Sequence, residues 1–565
     1  MRVRPGLPRR VGAAWPAAAA ALLCAGAAGT AAVTVAAVYR LHVPLPYWDE
    51  WYTIAHFRHF AEGGYGIADL AAQHNEHRLL FPRLFFFADE VLFGFSGVLD
   101  ATVTLVLQAV NAALLIAWMR CLVARAAHRA LLAGLVVVLL FTLRQEQNFT
   151  NGFQLQFVGV FTAAALAGSA YVAALDRLRD ARRGSAPFFA LAALGCAVST
   201  YTMANGLLVG PVLAVAAVLR RAPWWVSAAT AAASVSLAAL FVHGYAPGGD
   251  GQPLSQALTH PLPYAVYVAA YLGNPLDLGS PAATALGSVG LALAAGAAWR
   301  VRDGAARDPA SLKLLILAGF VLASAAATAY GRIALGVEQA SESRYATPSL
   351  LFWCALVLFW FPVAVRPGRR PAGAFALGAL VALLAVAALA AEATAWPALA
   401  ERSAALRRVS DSLVSGLYDG AAAGVYETTP WDDIRPVVPF LRQHRLAAFA
   451  DPTVAALGQP VATLGRIAPR DACEGTVAAR ADPALGPGGV RLDGTARDGG
   501  TRGAPRRIVV TDGTGTVVGF GSASLPSRPS RLWSAYGTGG PGSALQAYAE
   551  LADGALCPLG TAAIE

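Results

Sequence analysis

The chain has 565 residues, of which 56% are hydrophobic and only 14% are charged. Its apolar residues come in blocks of about 16 to 25, and such blocks cross the roughly 30 Å hydrocarbon core of a bilayer as helices, which satisfy their own backbone polar groups. The composition therefore excludes a purely water-soluble chain and predicts a polytopic, all-α membrane protein. The formal charge of +9 does not indicate nucleic-acid binding, because the arginines cluster in short loops between apolar blocks.

The first apolar run follows an arginine-rich start at residues 1–13 and extends to about Tyr39. A signal peptide is the alternative, but this run of roughly 25 residues exceeds the 7 to 15 of a signal-peptide core, so we interpret it as an uncleaved first span. The other apolar blocks bring the predicted total to about eleven spans. They lie at about residues 98–119, 130–143, 153–175, 187–203, 206–220, 224–243, 280–299, 312–330, 347–365 and 373–395.

Clusters of arginine distinguish the two sides of the membrane. They lie in the loops that follow an even number of predicted spans, and the loops that follow an odd number are nearly free of them. The positive-inside rule therefore places the N-terminus in the cytoplasm and the C-terminal part outside. Abundant Ala, Gly and Arg are typical of a GC-rich bacterium and carry no functional information, and the predicted location of the multi-pass chain is a bacterial inner membrane. The clusters are Arg120, Arg125 and Arg129; Arg177, Arg179, Arg182 and Arg183; Arg220 and Arg221; Arg300, Arg302 and Arg307; and Arg366, Arg369 and Arg370.

The first outer loop, about residues 40–97, is longer than a simple connector, and loops of that size usually carry function. Aromatic and charged residues alternate in Trp48–Phe60, which predicts a helix lying in the membrane interface. A second amphipathic segment, Leu79–Phe95, returns the chain to the membrane.

The apolar runs stop after about Trp396, and β-like segments begin near residue 446. A hairpin with an Asp512-Gly513 turn is predicted within residues 507–520. Cys473 and Cys557 are expected to pair, because they face an oxidising compartment. We thus predict a transmembrane helix bundle, a helical linker and an extracytoplasmic, mostly-β, sandwich-like domain, over residues 1–395, 396–445 and 446–565.

Asp49 and Glu50 are the strongest candidates for catalysis, since they follow the first span among aromatic residues. Transfer of a sugar from a lipid phosphate needs one carboxylate to take the proton of the acceptor hydroxyl, while the phosphate leaves as a stable anion without a general acid. The alternative is structural: Asp49 caps the interfacial helix and Glu50 is merely solvated.

A second polar stretch in the same loop contains candidates for substrate binding. If this stretch is helical, its two histidines and its arginine share a face. The spacing is not the His-Glu-x-x-His of zinc proteases, so substrate binding, with an arginine towards phosphate, is favoured over metal ligation, and loop-folding contacts are the remaining alternative. The candidates are His74, Asn75, Glu76, His77, Arg78 and the nearby Arg83.

Two further polar segments lie close to predicted spans. Glu146, Asn148 and Gln154 belong to an amide-dense stretch, and lining a hydrated cavity explains such groups near a bilayer.

Arg332, Arg344 and Tyr345 form a late polar island, where a planar guanidinium suits a leaving phosphate. The alternative for these arginines is an ion pair with Glu338 or Glu342. If the islands form one site, we expect Asp49 and Arg344 to face one outer cavity within about 15 Å of each other.

These features resemble the membrane-embedded C-type glycosyltransferase superfamily, which uses polyprenyl-phosphate sugars. The resemblance covers about residues 14–395 and rests on the acidic pair, the long first outer loop and the late segment Arg344-Tyr345-Ala346-Thr347-Pro348, with a terminal outer domain beyond it. Uncharacterised bacterial members carry segments similar to His74–Arg78 and Gly152–Phe157.

The resemblance also implies a role for the first acidic residues. In the superfamily an acidic residue of the first loop acts as base or aids metal binding, which would fall on Asp49, with Glu50 second. The chain lacks the paired aspartates or a longer signature of any one characterised subfamily, so donor and acceptor stay open.

Residues and resemblance together predict an integral-membrane glycosyltransferase, a hexosyl- or pentosyltransferase, that moves a sugar from a polyprenyl-phosphate donor to a cell-envelope glycan, lipid or protein. No cofactor is assigned, and a divalent metal is left open. Two other classes remain: a transporter or flippase of lipid-linked glycan, and a membrane-anchored protein that binds cell-wall glycan. Transporters often contain repeated halves, which are not evident here, and an anchor needs far fewer spans.

Overall fold

The computed structural model describes residues 11–181, 184–246, 258–368, 370–426, 429–523 and 532–564. The chain divides into two compact units. The first unit comprises Met1–Val35, Gly66–Leu84 and Asp100–Ala395, and the second comprises Ala36–Tyr65, Phe85–Leu99 and Trp396–Glu565. The arginines predicted to mark the cytoplasmic side at positions 2, 4, 9, 10, 182, 183 and 369 lie outside the described residues.

Helices account for most of the chain up to residue 444. In order they are α1 (Val11–Arg40), α2 (Glu50–Ala61), α3 (Ile67–Leu70), α4 (Leu80–Phe93), α5 (Val98–Leu122), α6 (Ala126–Phe141), α7 (Glu146–Thr150), α8 (Leu155–Arg179), α9 (Ala186–Thr200), α10 (Val209–Leu219), α11 (Trp224–Val242), α12 (Pro261–Leu272), α13 (Ser280–Arg300), α14 (Pro309–Arg332), α15 (Ala346–Ala364), α16 (Pro371–Val414), α17 (Gly420–Tyr426), α18 (Trp431–Ile434) and α19 (Val438–His444).

Within the described residues, nine helical segments are long and apolar enough to cross a membrane. Two more predicted spans are shorter apolar helices, Ala186–Thr200 and Ala204–Leu219. The predicted polytopic helical architecture is therefore confirmed. The nine segments are Ala17–Arg40, Val98–Leu122, Ala126–Thr150, Gly152–Arg179, Trp224–Val242, Ser280–Arg300, Pro309–Leu335, Ser343–Ala364 and Pro371–Val414.

The core of the first unit is built around α8 and α15, whose apolar windows are 78% and 83% buried. Small residues let neighbouring helices approach closely, as is usual between membrane helices. A Cβ on Gly287 would lie 1.7 Å from the carbonyl oxygen of Ala269, so α12 and α13 pack with their backbones nearly in contact.

The two amphipathic segments predicted in the first outer loop are confirmed as helices α2 and α4. In the second unit, α2 buries Trp51, Ile54 and Phe57. The ring of Phe57 lies 5.8 Å from that of Phe87 and 6.3 Å from that of Phe440. Aromatic packing thus fixes the helix that begins beside the acidic pair.

The C-terminal part of the second unit is a β-rich fold, as predicted. Its strands are β3 (Cys473–Ala481), β4 (Gly489–Asp498), β5 (Ile508–Thr511), β6 (Val517–Ala523), β7 (Leu532–Thr538), β8 (Ala544–Glu550) and β9 (Leu556–Ala563), while β1 (Gln73–His74) and β2 (His77–Arg78) lie in the first unit. Among the described residues the seven strands form one sheet in the order β3-β4-β7-β6-β5-β8-β9.

This sheet is rolled over its own core. A parallel bridge between Ala479 and Ile564 brings the two edge strands together, and Leu492, Ile508 and Trp533 are buried between the layers. The predicted hairpin is confirmed, since β5 and β6 pair antiparallel across the Asp512-Gly513 turn.

Cys473 on β3 and Cys557 on β9 form a disulfide, with an S–S distance of 1.99 Å. The other four cysteines, Cys24, Cys121, Cys196 and Cys354, are free thiols. Alkylation of the denatured, full-length protein should therefore modify four thiols without reductant and all six after reduction. A mass spectrum with six alkylated thiols in both conditions would contradict the disulfide.

Candidate functional site

A polar segment interrupts the apolar helices of the first unit between α6 and α8. The helix α6 ends at Phe141, and the Thr142 hydroxyl accepts a hydrogen bond from the Arg144 backbone N–H at 3.3 Å. The Asn151 side chain accepts one from the Phe153 N–H at 3.0 Å, directly before α8 begins. Thr142 and Asn151 thus cap two short 3-10 turns between α6 and α8, so a polar turn stands where a continuous span would be apolar.

This turn contacts the late polar island. The Asn148 amide donates to the Arg344 carbonyl at 3.0 Å and to the Thr347 hydroxyl at 2.9 Å. The Gln147 backbone N–H donates to the Ser343 hydroxyl at 3.1 Å. Two stretches that are nearly 200 residues apart in sequence, both predicted to be functional, therefore meet at one end of the helices.

Arg144 joins the polar turn to neighbouring segments of the first unit. It was not among the predicted site residues. Its guanidinium donates to the carbonyls of Asn274, at 3.0 Å, and Ser341, at 2.6 Å, and lies 3.3 Å from the Asp277 carboxylate. Because Arg144 is only 8% exposed, we interpret it as a buried support for the site. Its position at the head of the amide-dense stretch was the available signal.

We call the contact between the turn at residues 142–154 and the late polar island the polar junction. Several buried polar atoms around it have no hydrogen-bond partner within the described part of the chain. An unsatisfied buried polar atom costs roughly 1–3 kcal/mol, so a group of them in one place is where ordered water or a polar ligand is expected to bind. They are Gln147 Oε1, Asn148 Oδ1, Gln154 Oε1, Gln156 Oε1, Asn274 Oδ1, Ser341 Oγ and Arg344 Nε.

Arg344 forms the ion pair with Glu342 that the sequence offered as an alternative. The side chain of Arg344 is nevertheless 23% exposed, and its guanidinium lies 5.4 Å from the centre of the Tyr345 ring. Tyr345 is buried against Tyr271 and Phe157, with ring centres 5.2 and 6.1 Å away. Tyr345 thus anchors the turn, and Arg344 remains accessible from one side.

Arg332 pairs with Glu76 rather than with Glu338, at 2.9 Å between Nη2 and Oε2. Glu338 instead accepts a hydrogen bond from the Ser280 hydroxyl at 2.5 Å. Burial and the nearby Glu76 carboxylate raise the pKa of Tyr245 above its ordinary value.

The stretch from His74 to Arg78 is a hairpin, so the conditional expectation of a shared helical face is wrong. His74 pairs with His77 across β1 and β2, and Asn75 turns the chain with a φ of 48°, which asparagine tolerates. The hairpin still keeps the two histidines adjacent. The His74 ring lies 5.0 Å from the Phe153 ring, and His77 Nδ1 is 3.3 Å from the Ala204 backbone nitrogen.

Arg78 and Arg83 are engaged with backbone carbonyls. Arg78 donates to Phe241 and His243, each at 2.7 Å. Arg83 is 3% exposed and donates to Ala72 at 2.7 Å. Both guanidiniums therefore hold the loop together, and a role in phosphate binding stays a prediction for each. The described residues contain no group of three or more His, Cys, Asp or Glu that could hold a metal ion.

The acidic pair lies in the second unit, at the start of α2. Asp49 occupies the N-cap position, but its side chain makes no capping hydrogen bond. The Glu50 carboxylate accepts a hydrogen bond from the Tyr47 backbone N–H at 2.7 Å. Glu50 thus stabilises the turn, and a catalytic role for Asp49 stays a prediction. Asp49 and Arg344 belong to different units, so their sharing one cavity stays a prediction.

The chain is similar in structure to a known membrane protein. No protein-family model matches the chain, and no curated protein matches it. A solved structure that it resembles is the archaeal oligosaccharyltransferase AglB from Archaeoglobus fulgidus, in complex with an inhibitory peptide and a dolichol-phosphate. The identity is 12% and the TM-score 0.41, over 78% of this chain and 65% of that protein. The chain thus spans slightly less than two thirds of the length of that protein.

The Arg332–Glu76 pair can be tested for its contribution to the stability of the fold. The two side chains are 35% and 45% exposed, and an ion pair that exposed usually contributes less than about 1 kcal/mol to stability. Glu76→Gln should therefore change the unfolding free energy by less than about 1 kcal/mol, as measured by thermal unfolding in detergent. A much larger loss would make the pair a structural element and remove the case for Arg332 as a ligand-binding group.

Proposed function

We propose that the chain is an integral-membrane glycosyltransferase that moves a sugar from a polyprenyl-phosphate donor to a cell-envelope glycan, lipid or protein. The acceptor oxygen attacks the anomeric carbon, the bond from that carbon to the phosphate oxygen breaks, and a carboxylate takes the hydroxyl proton. The reaction takes place at the outer face of a bacterial inner membrane, on the side without arginine clusters.

One observation carries this proposal: the polar junction at the end of the first unit. Asn148, Gln154 and Asn274 each have a buried side-chain oxygen without a partner in the described residues. Arg332 and Arg344 stand in the same unit, each paired with a carboxylate that is 35–45% exposed. Amides suit sugar hydroxyls and guanidiniums suit phosphate, and a half-exposed carboxylate partner is easily exchanged for a ligand anion.

Each group has a role in this proposal. Arg344 and Arg332 neutralise the leaving phosphate, and the amides orient the sugar. Asp49, at the N-cap position of α2, is the general base, and Glu50, which accepts a hydrogen bond from the Tyr47 backbone N–H, holds the turn that presents it. His74 and His77 contribute hydrogen bonds to substrate from the β1–β2 hairpin.

Transfer in detergent micelles separates this function from transport. Purified full-length protein is mixed with polyprenyl-phosphate hexoses and pentoses, labelled with tritium in the sugar, and with a glycan and lipid extract of a bacterial envelope. We expect label in the acceptor fraction, since transfer does not need two aqueous compartments. Label that stays on the lipid in micelles but crosses the bilayer in proteoliposomes would identify a flippase and overturn the proposal.

A further inference from the structure

A second, strongly basic cavity lies within the first unit, at the ends of α8 and α10 and before α14. It has a volume of about 410 Å³. Four of the eight residues that line it are arginines, Arg179, Arg220, Arg221 and Arg307, and none of these described lining residues is acidic. Positive charge is therefore concentrated around one small space.

The cavity lies at the opposite end of the helices from the polar junction. Helix α8 begins at Leu155, beside that junction, and ends at Arg179. Helix α14 begins at Pro309, just after Arg307, and ends at Arg332. At 1.5 Å per residue, each helix separates the two places by roughly 36 Å, about the thickness of a bilayer core with part of its headgroup layers.

One of the four arginines is structural. Arg220 is paired with the Asp176 carboxylate and donates to the carbonyl of Ala306 at 3.1 Å, and its side chain is only 5% exposed. Arg179, Arg221 and Arg307 are exposed at the cavity instead. Like charges held this close repel one another, and a bound anion would relieve the repulsion.

Arg221 is held in a backbone conformation that favours glycine. Its φ is +57°, and the chain closes α10 with hydrogen bonds from Ala222 N–H to Ala217 O and from Arg221 N–H to Val218 O, each 2.9 Å long. This closing motif usually has glycine at the left-handed position, because a Cβ is strained there. A charged residue thus stands at the cavity where glycine would be the more stable choice.

An apolar groove of about 740 Å³ adjoins the cavity. Tyr171 lines the groove and Leu175, one helical turn further along α8, lines the cavity. Likewise Trp225 lines the groove, and Pro223 the cavity. Trp224, which is 81% exposed, stands at the start of α11, as is typical of a residue at the membrane interface.

We propose that the basic cavity binds the headgroup of an anionic phospholipid, with an acyl chain in the adjoining groove. Charge complementarity selects a negative headgroup, and the groove selects a lipid over a free anion. Basic pockets between helices on the cytoplasmic side are suited to such headgroups. The inference does not depend on glycosyl transfer, because it concerns binding at the other end of the helices.

Native mass spectrometry of the delipidated full-length protein in detergent tests this site. The probes are dioleoylphosphatidylglycerol, dioleoylphosphatidylcholine with the same chains, and sn-glycerol 3-phosphate. We expect one retained phosphatidylglycerol, bound in preference to phosphatidylcholine and not displaced by glycerol phosphate. The combined variant Arg179→Gln, Arg221→Gly and Arg307→Gln should lower the affinity for phosphatidylglycerol at least about tenfold.

Two further variants make the result decisive. Arg221→Gly alone should weaken the binding of phosphatidylglycerol without lowering the unfolding temperature, because glycine relieves the strain of the left-handed backbone conformation. Arg125→Gln, which removes an exposed arginine from the N-cap of α6 outside the cavity, should bind as the wild type does. Unchanged binding in the combined variant, equal loss with Arg125→Gln, or displacement by glycerol phosphate would each overturn the lipid site.

Discussion

Replacing Asp49 with asparagine is expected to lower the turnover number for sugar transfer by at least about 100-fold, since a positioned general base contributes roughly 10²–10⁴. Asparagine keeps the shape of the side chain but cannot take the proton. Because asparagine is as favourable as aspartate at an N-cap position, the variant should fold and unfold as the wild type does. The measurement is single-turnover transfer of tritiated sugar, with donor binding measured separately.

A control carboxylate lies at the other end of the same helix. Glu62 is the C-cap of α2 and forms an exposed pair with Arg58 at 2.9 Å, so Glu62→Gln removes a carboxylate from the second unit without touching the N-terminus of α2. This control should retain transfer within about twofold. Full activity in Asp49→Asn would exclude Asp49 as the base, and an equal loss in Glu62→Gln would mean that the effect is general rather than chemical.

Replacing Arg344 with alanine is expected to act differently from the Asp49 change, because the donor phosphate is charged before the reaction begins. Arg344→Ala should weaken donor binding and also slow the chemical step, with a combined loss in kcat/KM of at least about 100-fold. Arg344→Lys should recover little of it, since a point charge does not reproduce the planar guanidinium. Donor titrations and single-turnover rates separate the two effects.

The control for Arg344 is Arg366, an exposed arginine just beyond the other end of α15. Arg366→Lys should leave both donor binding and transfer unchanged. If Arg344→Lys is also fully active, the requirement for a guanidinium is contradicted, although a simple positive charge would remain necessary. If Arg344→Ala binds donor normally, Arg344 is not a phosphate ligand at all.

The sequence predicted the helices well because apolar length is a property of each segment alone. The block predicted at 98–119 corresponds to α5, Val98–Leu122, and the hairpin at 507–520 follows from the local Asp512-Gly513 signal. By contrast, the two-residue strands β1 and β2 are too short to show a period, so the sequence of Gln73–Arg78 does not distinguish a hairpin from a helix.

The side-chain contacts of the candidate site could not be predicted from the sequence, because they join residues far apart in the chain. The Arg332–Glu76 pair joins residues 256 apart, and the Arg144–Asn274 hydrogen bond joins residues 130 apart. The local patterns of a single sequence do not indicate which polar groups pair at such separations. Arg144 was therefore missed as a support, although the amide-dense stretch beside it was predicted to be functional.

The most direct test of the central claim is the stoichiometry of transfer by the purified protein in micelles. Acceptor that has gained a sugar and free polyprenyl phosphate are measured together by mass spectrometry. The proposed reaction predicts one polyprenyl phosphate released for each sugar transferred, with both products lost in Asp49→Asn. Donor that remains intact while the wild-type protein binds it, with neither product formed in the presence of any acceptor fraction, would contradict the assignment as a glycosyltransferase.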